Sequence, residues 1–242
     1  MTFQAHILEG KVALVTGGLS GIGAAIANQL SALGAKTVAA GLPLPADVPD
    51  TLSKEIERIT LDVRSSEDVS AVMKRFERLD IVVNCAGVIS RVEEHQIDVF
   101  ERVLDINLNG TMRVCSSARE LLKASSGCIV NTASMLSFFG GGLVPAYSAS
   151  KGAIAQLTKS LAIAYAVDGI RVNAIAPGWI ATPLTQALQD DAGRSQDILD
   201  RTPMRRWGQP QEVAQVAAFL CTPAASFMTA AIVPVDGGYL AA

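Results

Sequence analysis

The 242-residue chain is predicted to be an α/β protein, a doubly wound seven-stranded parallel sheet with helices on both faces, forming one domain over 1–242. Three observations predict it. Half of the residues are hydrophobic but only 5% are aromatic, as expected of a core of small and β-branched side chains in strands covered on both faces. Seven short apolar runs alternate with longer segments of helical period. No repeat, low-complexity tract or shift in composition divides the chain, and a chain of this length buries about 70 to 75% of its unfolded surface.

The elements follow in order. Val12 to Val15 reads as the first strand and Gly23 to Leu33 as a helix, with Ile26, Leu30 and Leu33 at helical spacing and Gly34 as a left-handed stop. Thr37 to Ala40 and Ile59 to Leu61 are the next strands, then Ser66 to Phe76 a helix and Ile81 to Val83 a strand. Val99 to Leu122 reads as one long helix, Cys128 to Asn131 as a strand, Ser150 to Ala166 as a helix and Arg171 to Ile175 as a strand. Ala181 to Trp207 is polar and poorly periodic, so it is expected to be a functional lid or binding loop. Pro210 to Leu220 closes the helices, with proline in the first turn, and Ala231 to Val235 is the last strand.

A net charge of −3 with interspersed signs offers no basic stripe for nucleic acid or an anionic membrane. Every apolar run stops well short of the roughly 20 residues that span a bilayer, and the richest, Val213 to Cys221, is broken by Gln215. No signal peptide follows the initiator Met, so a soluble, cytoplasmic protein is expected. Cys85, Cys115, Cys128 and Cys221 lie far apart, and His6 and His95 are the only histidines. Neither a disulfide framework nor a metal site is expected. The partner expected is a small molecule.

Thr16-Gly17-Gly18-Leu19-Ser20-Gly21-Ile22-Gly23 lies between the first strand and the first helix. Glycines there allow a tight turn, close approach of backbone to a pyrophosphate and packing of helix on strand, while the helix N-terminus offers free N–H groups to phosphate. No Gly-Lys-Ser/Thr follows, which argues against a nucleoside-triphosphate loop. The second strand ends in Ala40-Gly41-Leu42-Pro43, with neither the acid that reads an NAD ribose nor the base that reads a 2′-phosphate. The missing positive charge favours NAD, with NADP possible.

Tyr147 and Lys151 stand four residues apart, on one face of a helix. A nearby ammonium favours phenolate and lowers a tyrosine pKa from about 10 toward the operating pH. Ser134 follows an apolar strand at its carboxyl end, where α/β sheets bind ligands, and Asn107 is a polar group within an apolar helix.

With these motifs the chain resembles the short-chain dehydrogenase/reductase family over nearly its whole length. The matching positions are T-G-x-x-x-G-I-G at Thr16 to Gly23, Asp62, Asn84-Cys85-Ala86-Gly87, Asn107, Ser134, Tyr147 with Lys151, and Pro177-Gly178. The resemblance implies a Rossmann fold in which Tyr147 exchanges a proton with the substrate oxygen and Ser134 orients the carbonyl. Lys151 would lower the tyrosine pKa and hold the nicotinamide ribose, and Asn107 would maintain a proton relay. Cofactor contacts are implied at Gly17, Ser20, Gly21, Ile22, Gly23, Asp62, Val63, Asn84, Ala86, Gly87, Pro177, Gly178, Ile180 and Thr182, besides Tyr147 and Lys151. The family also implies a homotetramer, with the two long helices at one interface.

Three departures are visible. Cys85 stands where the family has a second Asn and reads as a packing residue. The stretch between the second and third strands is short for a helix, and Thr229-Ala230-Ala231 replaces the usual T-G before the last strand.

Within the family, Ala133 to Gly141, Thr185 to Leu188, Arg194 to Arg201 and Arg206-Trp207-Gly208 resemble bacterial 2-deoxy-D-gluconate 3-dehydrogenases, also described as 2-dehydro-3-deoxy-D-gluconate 5-dehydrogenases. That subgroup also carries an arginine at Arg91, suited to a sugar-acid carboxylate; a solvated loop arginine is the other reading. Two alternatives remain: an NADPH-dependent 3-oxoacyl-acyl-carrier-protein reductase, for which Arg113, Arg119 and Lys123 would form a basic patch, and a non-catalytic dinucleotide-binding regulatory protein.

Overall fold

A computed structural model describes residues 3–45 and 48–242. Seven strands, β1 (Val12–Thr16), β2 (Lys36–Gly41), β3 (Glu57–Thr60), β4 (Ile81–Asn84), β5 (Cys128–Thr132), β6 (Arg171–Pro177) and β7 (Ile232–Val235), form one sheet in the order β3-β2-β1-β4-β5-β6-β7. All neighbours pair in parallel. The chain winds outward from β1 to β3, returns to β4 beside β1, and winds the other way. The crevice at the carboxyl ends of β1 and β4 is therefore the topological switch point, where such sheets bind ligands.

Alternate side chains of each strand go to opposite faces. Ala13, Val15, Ile81, Val83, Cys128 and Val130 pack under α1 (Gly21–Ala32) and α8 (Pro210–Cys221). Leu14, Val38, Val82, Ile129 and Val172 pack on the other face, against α2 (Ser66–Met73), α4 (Gly110–Ser125) and α5 (Pro145–Tyr165). Two apolar layers on one sheet explain why the strands read as continuous apolar runs.

The structure alters three expectations. The long helix expected over Val99 to Leu122 is α3 (Ile97–Leu104), a π-helical turn at Asp105–Asn109, and then α4. α5 begins at Pro145 rather than Ser150, with proline in the first turn, so Tyr147 lies inside the helix. Ala181 to Trp207 contains α6 (Gln186–Gln189) and α7 (Ala192–Arg201). Ile198 alone is buried in α7, which left no apolar period to read. Among the described residues no helix joins β2 and β3, and none is long and apolar enough to cross a membrane.

Candidate active site

At the switch point β1 runs into α1 through the glycine turn. A Cβ on Gly17, which has φ +61°, would stand 2.6 Å from the Ala86 nitrogen, and one on Gly23 would overlap the Gly17 carbonyl. Three backbone segments thus meet with no room for side chains. No side chain caps α1 at Ser20, so the Gly21, Ile22 and Gly23 N–H groups start the helix without a side-chain acceptor. Thr182 lies opposite Gly21, its Cγ2 3.7 Å from where a Cβ would be. A backbone cradle at an uncapped helix N-terminus fits the pyrophosphate of a dinucleotide.

Pro177 ends β6, and Gly178 lies so close to Asp236 that a Cβ would approach its Cα to 2.6 Å. Ile180 is buried and bridges to Gly208, while Ala181 N donates to Gly208 O at 2.9 Å. This pins the chain that crosses the carboxyl end of β6 toward Thr182.

Two expected cofactor residues turn inward. The Asn84 amide is buried and donates to Asn131 Oδ1 (2.9 Å) and Cys115 Sγ (3.3 Å), so its side chain braces the sheet and its backbone is the part left for a ligand. The Val63 side chain packs on Gly110, leaving only its backbone for a ligand. Asp62 is held by Arg64, with Nη2 to Oδ2 at 2.6 Å, and that guanidinium keeps its carboxyl below the usual carboxylate range.

The reactive groups converge from three elements. Ser134 follows β5, Tyr147 and Lys151 lie on α5, and Asn107 lies in the π-helical turn. Asn107 Oδ1 accepts from Val88 N (2.8 Å), and its Nδ2 donates to Val88 O (3.0 Å) and Ser150 Oγ (3.1 Å). These bonds tie the irregular turn to the loop after β4, and π-helical turns often mark functional sites. Gly87 faces this pair: a Cβ there would be 3.3 Å from Asn107 Oδ1 and 3.7 Å from Lys151 Nζ.

Lys151 is 4% exposed; its Nζ donates to Thr132 O at 2.7 Å and stands 5.4 Å from the centre of the Tyr147 ring. Burial pulls the Lys151 ammonium down to about 8 and pushes the Tyr147 phenol up to about 12; the Ser134 hydroxyl acts against that rise and Glu94 adds to it. Burial is the largest influence on the Tyr147 phenol, and Lys151 is not among the groups that set it in this arrangement. Cys85 Sγ sits 3.2 Å from Thr132 Oγ1, and burial raises its thiol to about 11, consistent with packing and not nucleophilic use. Arg91, in the loop after β4, is held below its ordinary pKa by burial and by Arg194 on α7, with Glu94 opposing.

Three groups in this network were not singled out in the sequence. Ser137 Oγ accepts from Ser134 N (3.2 Å) and donates to Lys151 O (2.6 Å); its i+3 spacing from Ser134 was the available signal. Ser150 Oγ joins Asn107 to Tyr147 O at 2.7 Å. Glu94, 1% exposed, accepts from Tyr147 N at 2.8 Å, and nothing in the pair Glu93-Glu94 distinguishes it from a solvated acid.

The family described as enoyl-(acyl carrier protein) reductase matches residues 17–240. A 2-dehydro-3-deoxy-D-gluconate 5-dehydrogenase of Bacillus subtilis (strain 168) is 42% identical, covering 98% of this chain and 97% of that protein. A cis-4-hydroxycyclohexanecarboxylate dehydrogenase of Sinomonas cyclohexanicum is 41% identical over 96% of this chain and 97% of its own length. The crystal structure of a gluconate 5-dehydrogenase from Burkholderia cenocepacia J2315, in complex with NADP and tartrate, matches with TM-score 0.89 and 32% identity, covering 97% of each chain.

Proposed function

The chain belongs to the short-chain dehydrogenase/reductase family, as an oxidoreductase acting on CH–OH groups with a nicotinamide dinucleotide, and on that premise we propose that its substrate is a sugar acid. The reaction interconverts a secondary alcohol and a ketone on a molecule of the 2-deoxy-D-gluconate or 2-dehydro-3-deoxy-D-gluconate type. The observation that carries this reading is Arg91, partly buried in the loop that Glu94 ties to the Tyr147 backbone, with no ion pair among the described residues and Arg194 and Glu94 as its charged neighbours. Two guanidinium groups, neither in an ion pair among the described residues and the one nearby acid, Glu94, engaged by backbone N–H groups, suit a carboxylate. The relatives named above act, by their names, on hydroxy acids or their oxo forms.

When bound, the dinucleotide accepts or gives hydride at its nicotinamide ring. Tyr147 exchanges the proton of the carbinol oxygen at its Oη, and Ser134 Oγ donates a hydrogen bond to that oxygen. Lys151 holds positive charge beneath the phenol ring, and Asn107 keeps the Val88 backbone and Ser150 in register with Tyr147. Gly17, Gly23 and Ala86 supply the backbone cradle. Between the two cofactors NAD is proposed. No cation lies between Gly41 and Asp50; beyond it come Lys54, which is exposed, and Arg58 and Arg64, which are tied to Asp50 (2.9 Å) and Asp62 (2.6 Å).

The carrier-protein reductase reading needs a free basic patch. Arg113 is bound to Asp105 (2.8 Å), while Arg119 and Lys123 both bind Asp168 (2.6 and 2.9 Å). The non-catalytic reading leaves the convergence of Ser134, Tyr147 and Lys151 unexplained. A homotetramer in a reducing cytoplasm completes the proposal; the four cysteines are free.

The test is a rate comparison of sugar acids, alditols and 3-oxoacyl thioesters, each with both cofactors, alongside Tyr147→Phe. Expected are the highest kcat/KM on a sugar acid, an NAD preference of about tenfold or more, and a loss of about 100-fold or more in kcat for Tyr147→Phe with dinucleotide binding retained. Preferred turnover of a thioester with NADPH overturns the substrate reading, and full turnover by Tyr147→Phe overturns the assigned chemistry.

A further inference from the structure

Glu94 is a buried carboxylate that the chemistry above does not use. It lies in a 3-10 turn, Glu93–His95, after the Arg91 loop, and is 1% exposed. Its two oxygens have separate acceptor duties. Oε1 accepts from Ser90 N at 2.9 Å, beside Arg91 in sequence, and Oε2 accepts from Tyr147 N at 2.8 Å.

The second bond has a structural cause. α5 is 21 residues long, begins with Pro145, and has Val144 at its cap position, with no side-chain cap. An uncapped helix of that length leaves first-turn N–H groups and the positive end of its dipole unanswered. Glu94 supplies the missing acceptor and a full negative charge from a different part of the chain, at the backbone of Tyr147 itself. The same turn is tied down by Glu94 N to Ser90 O (3.2 Å) and His95 Nε2 against Gly142 O (3.0 Å), and Val92 N donates to Leu143 O (2.8 Å). The loop bearing Arg91 and the segment entering α5 are therefore bonded to each other mainly through this one turn.

We propose that Glu94 is a positioning residue for the reaction: its carboxylate caps the catalytic helix at Tyr147 and couples the Arg91 loop to the height and orientation of the phenol. This rests on the reading of Tyr147 as the acid/base group. The carboxylate also adds to the rise in the Tyr147 pKa, after burial and against the Ser134 hydroxyl. The charged and titratable groups near the pair are Lys151 on α5, Arg91 in the loop with Arg194 of α7 behind it, Arg102 of α3, which donates to Ser90 Oγ at 3.2 Å, and His95 of the same turn.

Three variants, Glu94→Gln, Glu94→Asp and Glu94→Ala, test it by kcat and KM across pH in the alcohol-oxidising direction, with thermal melting on the same samples. Glu94→Gln keeps one oxygen acceptor and the side-chain shape but removes the charge. It is expected to lower kcat by about tenfold to 100-fold, the cost of a small misplacement at the reacting centre. It is also expected to move the rise of activity with pH to lower pH, because a carboxylate that disfavours phenolate is gone. Glu94→Asp is expected to recover part of kcat, and Glu94→Ala to raise KM as well, through the freed Arg91 loop. A folded Glu94→Gln enzyme with wild-type kcat and an unmoved pH profile overturns the proposal, as does a loss of kcat that follows melting temperature alone across the three variants. Failure of the acid/base reading is distinguishable, since it appears as turnover by Tyr147→Phe whatever Glu94 does.

Discussion

Lys151 has surroundings ill suited to its charge: it is buried, its Nζ bonds to the Thr132 carbonyl, and it has no ion-pair partner among the described residues. Burial pulls its pKa from an ordinary 10.5 to about 8. Below about pH 8 both folded and unfolded chains hold the proton, and the folded state carries the whole cost of the buried charge. Between about pH 8 and pH 10 the unfolded chain binds more protons, so stability rises with pH in that window, by about 2 kcal/mol. Above it Tyr147, with its phenol pushed up from 10.0 to about 12, reverses the sign, because the folded chain then keeps a proton that the unfolded chain has lost. Lys151→Met is therefore expected to be inactive, more stable than wild type at about pH 7, and to lose the rise toward about pH 9.5. Urea unfolding of both proteins at the two pH values checks it; a wild-type rise that persists in the variant refutes the assignment. The residue that makes the site reactive also makes it unstable, as expected where charge is held out of water for function.

The connection into β7 shows a similar strain at the scale of an element. Ala230 has φ +64°, a left-handed conformation that costs a residue with a Cβ about 1 to 2 kcal/mol. It is held there by Ala230 N to Val172 O (2.7 Å), Val172 N to Thr229 Oγ1 (3.1 Å) and Ala231 N to Asn173 Oδ1 (3.0 Å). Ala230→Gly relieves the strain, offset in part by the greater freedom of glycine in the unfolded chain. The expected net gain is about 0.5 to 1 kcal/mol, a rise in Tm of about 1 to 4 °C; a lower Tm in a melting scan would show that the turn is unstrained. That departure from the usual T-G was visible in the sequence, as were the strands, whose apolar runs reflect burial on both faces. The π-helical turn was not, because it depends on Asn107 bonding to Val88, a residue 19 positions earlier. α7 was hidden by its polar surface. In the site itself Tyr147, Lys151 and Ser134 were legible because their chemistry imposes types and spacing, whereas Glu94 acts through a backbone N–H 53 positions away and leaves no local pattern.

Across the whole molecule the scarcity of aromatic residues hides their distribution. Both tryptophans and one of three tyrosines form a chain of rings near the carboxyl end of the sheet, Phe139 on Tyr239, Tyr239 on Trp179 and Trp179 on Trp207. There Arg201 of α7 lies 4.3 Å from the Tyr239 ring and 5.2 Å from that of Phe139. Large apolar side chains elsewhere are exposed at the end of α5, where Ile163 is 77% exposed, and in the 3-10 turn that follows it, where Val167 is 87% exposed, with Met112 on α4 at 37%. Polar and small residues, Ser116, Ser117, Ser160 and Ala164, separate them. Such a face permits close helix packing, and covering each large side chain is worth about 1.5 to 3 kcal/mol. A second copy of the chain covers α4 and α5 in the proposed homotetramer, and a symmetric interface counts every such residue twice. Ile163→Glu with Val167→Glu places four like charges across a two-fold interface and is expected to yield smaller particles in size-exclusion chromatography with light scattering, with the monomer fold retained by circular dichroism. An unchanged mass would remove α5 from the interface. Tyr147 and Lys151 lie on the same helix as Ile163, and Val167 lies in the turn that ends it, so assembly would also brace the element that carries the reaction, and a fall in kcat accompanying dissociation is the result expected if it does.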